Sequence, residues 1–260
     1  MFENFKNDIN TKRETNKIGL ETFALDRYNI LDRPIDKLIK ELKKDLENEY
    51  SEHQKWIDME TNNPEKFQEL EEQAERTGHS LYFQMHDYIR TAIYIEEELT
   101  TLFEMKIIYA FKHLEIEIKN LISASFNDNS IGKLSKWDNL IQFLKSKKIN
   151  ISEIKDYKEI NQLRTVNNSL KHSNEQIDNS LKGIEEFKEV ESVTYDVLEK
   201  FYKRIKESSN SFLSSLSSAI YNNLYEFDDD KLERISNSIA LRMDEQNAKK
   251  LIEKIKKKYE

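Results

Sequence analysis

One stretch of this chain carries side chains that can do chemistry together: Leu163-Arg164-Thr165-Val166-Asn167-Asn168-Ser169-Leu170-Lys171-His172. Wound at about 100° per residue, Ile160, Leu163, Val166 and Leu170 share one arc; Asn161, Arg164, Asn168 and His172 share a neighbouring arc about 80° wide. The first arc faces a core. The second offers a cation, amides and an imidazole at steps of three or four residues, where helical side chains meet. Metal-free cleavage of an RNA phosphodiester needs such groups. A base takes the 2′-hydroxyl proton, an acid protonates the departing 5′-oxygen, and a cation offsets the charge building on phosphorus. An imidazole does acid or base work near neutral pH, which suits His172. Arg164 can grip phosphate oxygens in a bidentate way, and Asn168 can orient a reacting group. Lys171, Asn161 and Asn167 are the substrate-binding candidates beside them. On residue types alone a second reading stands open, in which a boundary histidine and arginine bond to backbone or to acids such as Glu115 and Glu117.

The elements that must position these groups are helices. Four glycines and two prolines in 260 residues are too few to punctuate a many-stranded β fold. Asp32-Arg33-Pro34 predicts that a first helix ends near Asn29 and a second begins, because the residue before proline is pushed out of the α region. That second helix, at about 35–60, aligns Leu38, Leu42, Leu46 and Glu49. Asn63-Pro64-Glu65 reads as a helix start, and Gly78 as the stop. From Leu81 to Ser125 no glycine or proline intervenes, and Ile107, Phe111, Leu114, Ile118 and Leu121 recur at three and four, which predicts one long core helix. Asn127-Asp128-Asn129-Ser130-Ile131-Gly132 reads as a loop. A short helix at about 134–147 carries Trp137, Leu140, Ile141 and Leu144. Ser152 is the expected cap of the helix reaching His172. Residues 173–192 read as a polar loop or frayed helix, and Thr194 as the cap of another long helix to about Tyr225. Asp228-Asp229-Asp230 reads as the cap of a terminal helical pair, since acids suit a helix N-terminus. The expected division is an N-terminal helical extension over 1–79, a helical bundle over 80–225 and a C-terminal helical pair over 226–260.

Composition narrows the function classes. The chain has no cysteine, so disulfides, thiolate metal sites and a cysteine nucleophile are excluded. His53, His79, His86 and His113 form no paired ligand pattern, and no metal or cofactor is expected. No glycine-rich phosphate loop and no Gly-x-Ser-x-Gly elbow occurs. The aromatics Tyr82, Phe83, Tyr88, Tyr94, Phe103 and Tyr109 are expected to pack in the bundle rather than stack on bases. The start of the chain lacks an apolar signal core, and no apolar run reaches spanning length, so a cytoplasmic protein without membrane contact is expected. A net charge of −8 opposes a general nucleic-acid coat but leaves room for a small, locally basic RNA site.

The pattern Leu-Arg-x-x-x-Asn-x-x-Lys-His, following Ile160-Asn161-Gln162, resembles the catalytic-helix signature of the HEPN superfamily (higher eukaryotes and prokaryotes nucleotide-binding domains). The helix from Tyr109 to Leu121 resembles the first core helix of that fold. The resemblance spans roughly residues 81–225. It implies an all-α, HEPN-like bundle of long antiparallel helices acting on RNA as a metal-independent endoribonuclease of a prokaryotic toxin or anti-phage system. It further implies His172 as the catalytic histidine, Arg164 as the phosphate-binding arginine, and a homodimer or higher homo-oligomer that gathers two motifs in one cleft, with an antitoxin or sensor as protein partner. Seven residues separate Arg164 from His172, where the family motif has four to six. That departure carries the alternative, a non-catalytic HEPN-like adaptor or regulatory subunit that binds a partner protein.

Overall fold

The computed structural model describes residues 9–24, 32–127, 136–172 and 179–259. The described residues are all-α: 83% of the structure is helical and it has no strand. In chain order the helices are α1 (Ile9–Glu21), α2 (Asp32–Asn62), α3 (Pro64–Arg76), α4 (Leu81–Phe126), α5 (Trp137–Ser146), α6 (Tyr157–His172), α7 (Tyr195–Ile205), α8 (Ser208–Tyr225), α9 (Asp229–Ala240) and α10 (Glu245–Lys256). The first helix ends at Glu21 and turns at 22–24, earlier than the expected end near Asn29, which itself lies outside the described residues, as does most of the expected loop after Asn127.

Contacts group the chain into two compact units, each drawn from distant segments. One comprises residues 1–28, 114–158 and 208–260; the other comprises 29–113 and 159–207. In the first unit, Leu114, Ile118, Leu121 and Ile122 of α4, Leu140 and Leu144 of α5, and Phe212, Leu216 and Ile220 of α8 are buried. There α1 packs along α8, where the Ser217 hydroxyl donates to the Leu20 carbonyl at 2.6 Å.

The second unit holds the candidate site. Its long helix buries Ala92, Ile95, Leu99, Phe103, Ile107 and Phe111 on one side, as the three-and-four spacing predicts. α2 and α3 pack together, with Phe67, Leu81 and Met85 forming a small core lined by Trp56, Ile57, Met59, Leu70 and Ala74. The buried line of α2 is Ile35, Ile39 and Leu46, while Leu38 is exposed. The expected stripe was rotated by one position because Leu38 and Leu42 are as apolar as Ile35 and Ile39, and apolar spacing alone cannot choose between adjacent lines. α3 has Pro64 at its start, but the Asn63 side chain makes no capping bond. Gly78 does close it: at φ 76° it sits in the left-handed region, its N–H donates to the Glu75 carbonyl and the His79 N–H donates to the Ala74 carbonyl, both at 2.9 Å.

The start of α4 is capped from a distance. The Glu71 carboxylate accepts from the Ser80 hydroxyl at 2.9 Å and from the Leu81 N–H at 2.7 Å, which satisfies a backbone donor that a helix leaves open and places negative charge at its positive end. Glu71→Ala is expected to lower the stability of this unit by about 1–2 kcal/mol, a typical loss for a cap. The check is the urea midpoint followed by Trp56 fluorescence; an unchanged midpoint would count against the cap.

Three expectations about the later helices need correction. Ser152 does not cap the motif helix; it lies in a short 3-10 turn whose Asn150 side chain accepts from the Ser152 N–H at 3.2 Å. Asp156 then adopts φ 63°, a left-handed conformation that interrupts a helix, so α6 starts at Tyr157. The segment before α7 is not simply polar loop: within 179–192, Leu181, Ile184 and Phe187 are buried, and Phe187 meets the Phe201 ring edge-on at 5.6 Å. Arg204 pins that segment through two bonds to Glu186, at 2.6 and 2.9 Å. Burial pushes the Glu186 carboxyl up, but the arginine's hydrogen bonds and charge bring it below the ordinary value on balance, so this contribution fades as pH falls through the folded-state pKa. Finally, the helix expected from Thr194 to Tyr225 is two helices, broken at residues 206 and 207 before Ser208-Ser209-Asn210-Ser211, whose side chains compete for backbone bonds. Thr194 holds the cap position without a capping side-chain bond. The terminal pair is as expected, with the Asp228 side chain accepting from the Lys231 N–H at 2.7 Å.

Candidate functional site

Of the expected inner arc of α6, Ile160, Leu163 and Val166 are buried and Leu170 is half-buried. Burial extends further round than the apolar pattern suggests. Asn167, which falls on that arc between Leu163 and Ile160, and Ser169, about 60° beyond Val166, are also buried. The open face is consequently narrow. Asn168, Lys171 and His172, toward the end of the helix, are exposed, and Asn161 and Arg164, nearer its start, are half-buried. The structure thus brings Asn161, Arg164, Asn168, Lys171 and His172 onto one side of one helix, in the second unit. Lys171 and His172 occupy its last turn, where the helix dipole favours positive charge.

Asn167 is placed differently from the expectation. It is 1% exposed, so its side chain does not reach the open face. Its Nδ2 donates to Oδ1 of Asn168 at 3.0 Å, while its own Oδ1 is buried without a hydrogen-bond partner. Leaving such an atom unpaired costs about 1–3 kcal/mol. The bond from the buried Asn167 amide braces the exposed Asn168 side chain through its oxygen. Gln162, which the sequence reading did not single out, likewise has a buried Oε1 with no partner. Both are polar residues on or beside the apolar arc, and the adjacency of two amides at 167 and 168 is the one signal the sequence offers for this bond.

Spacing along the axis matters as much as angle. At 1.5 Å per residue, Arg164 and His172 stand about 12 Å apart, two turns, whereas Asn168 lies midway between them. Along the helix, Asn168 and Lys171 are the candidates nearest His172, and Arg164 is the farther one.

Among the described residues, no group of three or more His, Asp and Glu side chains comes together as a cation site. No described helix is long and apolar enough to cross a membrane. Comparison of the chain with family models, with curated proteins and with solved structures finds no match.

Proposed function

We propose that the chain is a HEPN-like, metal-independent endoribonuclease of a prokaryotic toxin or anti-phage type, cutting RNA by attack of its own 2′-hydroxyl. The observation that carries this reading is the narrow open face of α6, which sets a histidine, a lysine, a braced asparagine and an arginine along one line. In this reading His172 moves the proton at the reacting oxygens, Arg164 and Lys171 hold phosphate oxygens, and Asn168 donates to the substrate from a fixed position. Asn161 lines the edge. Asn167 acts through Asn168 and is a positioning residue. The wide gap between Arg164 and His172 calls for two copies, each contributing a motif, so that the histidine of one helix works beside the arginine of the other.

The test is direct. The purified full chain, incubated with single-stranded RNA in EDTA, is expected to yield products ending in 2′,3′-cyclic phosphate. Intact RNA at high protein concentration, or ends of another kind, would overturn the mechanism.

One observation favours the adaptor reading. α9 and α10 bury no residue, and Leu232, Ile235, Ile252 and Ile255 stand exposed on them, an apolar surface of the kind a protein partner covers. Expression in cells separates the readings: the nuclease arrests growth and its Arg164→Ala variant does not, whereas an adaptor leaves growth unchanged in both forms.

A further inference from the structure

The aromatics of α4 were expected to pack in the bundle, and only some do. Phe103 is buried and Tyr82 meets the Phe67 ring edge-on at 5.5 Å, but Phe83 is 75% exposed and Tyr94 is 58% exposed, with Tyr109 also turned outward. The long helix thus has a second, outward line inside the second unit. It holds Phe83, Asp87, Arg90, Tyr94, Glu98, Thr101 and Met105. These stand at −11, −7, −4, 0, +4, +7 and +11 from Tyr94, the steps by which a helix returns to one side. All seven side chains are exposed; the Arg90 and Asp87 side chains are 66% and 62% exposed although they pair at 2.8 Å.

The line is self-complementary. Laid antiparallel on a second copy, with a twofold axis through Tyr94, each position at −n meets the position at +n. Arg90 then faces Glu98, an opposite-charge pair, twice. Phe83 faces Met105, a ring against a thioether, also twice. Asp87 faces Thr101, a carboxylate against an uncharged residue whose hydroxyl donates to the Glu97 carbonyl of its own helix, and Tyr94 faces itself. A parallel arrangement in register would instead set Arg90 on Arg90 and Glu98 on Glu98, which repels. We propose that this face of α4 is a homodimer interface, the two helices antiparallel about Tyr94. The contact is independent of the nuclease reading, since it uses none of the α6 residues. An exposed Arg90–Asp87 pair within one helix stabilises little, so Arg90 is free to turn to its partner. The face spans 23 residues from Phe83 to Met105, about 33 Å of helix. One helix pair of that length sits at the small end of specific interfaces, and a dissociation constant of about 1–100 μM is expected.

Sedimentation of the full chain over about 1 to 100 μM should show a monomer–dimer equilibrium in that range. Arg90→Glu and Glu98→Arg should each weaken it at least about tenfold, and the double reversal in one chain should restore it, since each charge then meets its opposite again. Because the chain has no cysteine, a second measurement is independent of those charges. Tyr94→Cys should cross-link to itself with a short bis-maleimide. Phe83→Cys should cross-link with Met105→Cys in a mixture of the two variants, and much more slowly with itself. A monomer throughout, a dimer indifferent to both charge reversals, or preferential self-cross-linking of Phe83→Cys would overturn the proposal.

Discussion

His172→Ala is expected to reduce RNA cleavage by about 100- to 10,000-fold, the span that a positioned general acid or base supplies, with its helical circular dichroism unchanged. Both halves of the expectation rest on placement. His172 is exposed at the last residue of α6, so removing its ring opens no cavity and strands no buried partner; surface changes of that kind stay within about 0.5 kcal/mol. Arg164→Ala should lose about 100-fold or more through weaker stabilisation of charge on phosphorus. Asn167 offers the sharper control. Its side chain cannot touch RNA, so Asn167→Leu, which removes the brace and also the unpaired buried oxygen, should hold or raise stability while lowering cleavage through a loosened Asn168. A His172→Ala variant that still cuts at the normal rate rejects the assignment of the site. Cleavage unaffected by Asn167→Leu leaves His172 in place but removes the brace from the mechanism.

How far the chain can be read without its structure depends on which forces decide each feature. α4 was legible almost to the residue, because Ile107, Phe111, Leu114, Ile118 and Leu121 repeat without interruption and all are buried. The terminal cap at Asp228 and the stop at Gly78 were legible because each is settled within a few residues. The failures are places where a distant partner or a local competitor decides. Ser152 lost to Asn150, two residues earlier, and to the left-handed Asp156. The cap of α4 comes from Glu71, ten residues away from Leu81, and no local pattern announces it. Leu38 and the exposed aromatics of α4 show the same limit from the other side. Apolar type says that a residue prefers burial, but which line of a helix is covered depends on what packs there. The open face of α6 was legible as an arc, whereas the burial of Asn167 and Ser169 beside it was not, since both are polar.

The largest effect on stability is expected at a residue that no motif marks. Lys106 is 3% exposed in the long helix, and its ammonium contacts Asp36, lies 3.8 Å from Asp32, and sits over the Tyr202 ring at 4.5 Å. The Tyr202 hydroxyl donates to the same Asp32 at 2.6 Å. One buried cation thus joins α2, α4 and α7 within the second unit. Truncating this buried side chain leaves a cavity among the three helices and takes the cation from Asp32, a loss of about 2–5 kcal/mol. Lys106→Ala should therefore lower the stability of this unit by about that much. Asp36→Ala should also be costly, since it leaves the buried Lys106 ammonium with Asp32, 3.8 Å away, in place of its nearer acid. The network predicts a further, non-additive result: Asp32→Asn with Lys106→Met removes the cation and the more buried of its two acids while keeping volume, leaves the half-exposed Asp36 to water, and should be more stable than Lys106→Ala alone. The two tryptophans make the measurement local, because Trp56 belongs to the second unit and Trp137 to the first. In a Trp137→Phe background, urea unfolding followed by Trp56 should shift strongly on Lys106→Ala. In a Trp56→Phe background, an equal shift of the Trp137 signal would mean that the two units unfold as one. No shift in either signal would show that the ammonium carries no net stabilisation, with the burial of its four-carbon stem and the desolvation of its charge in balance.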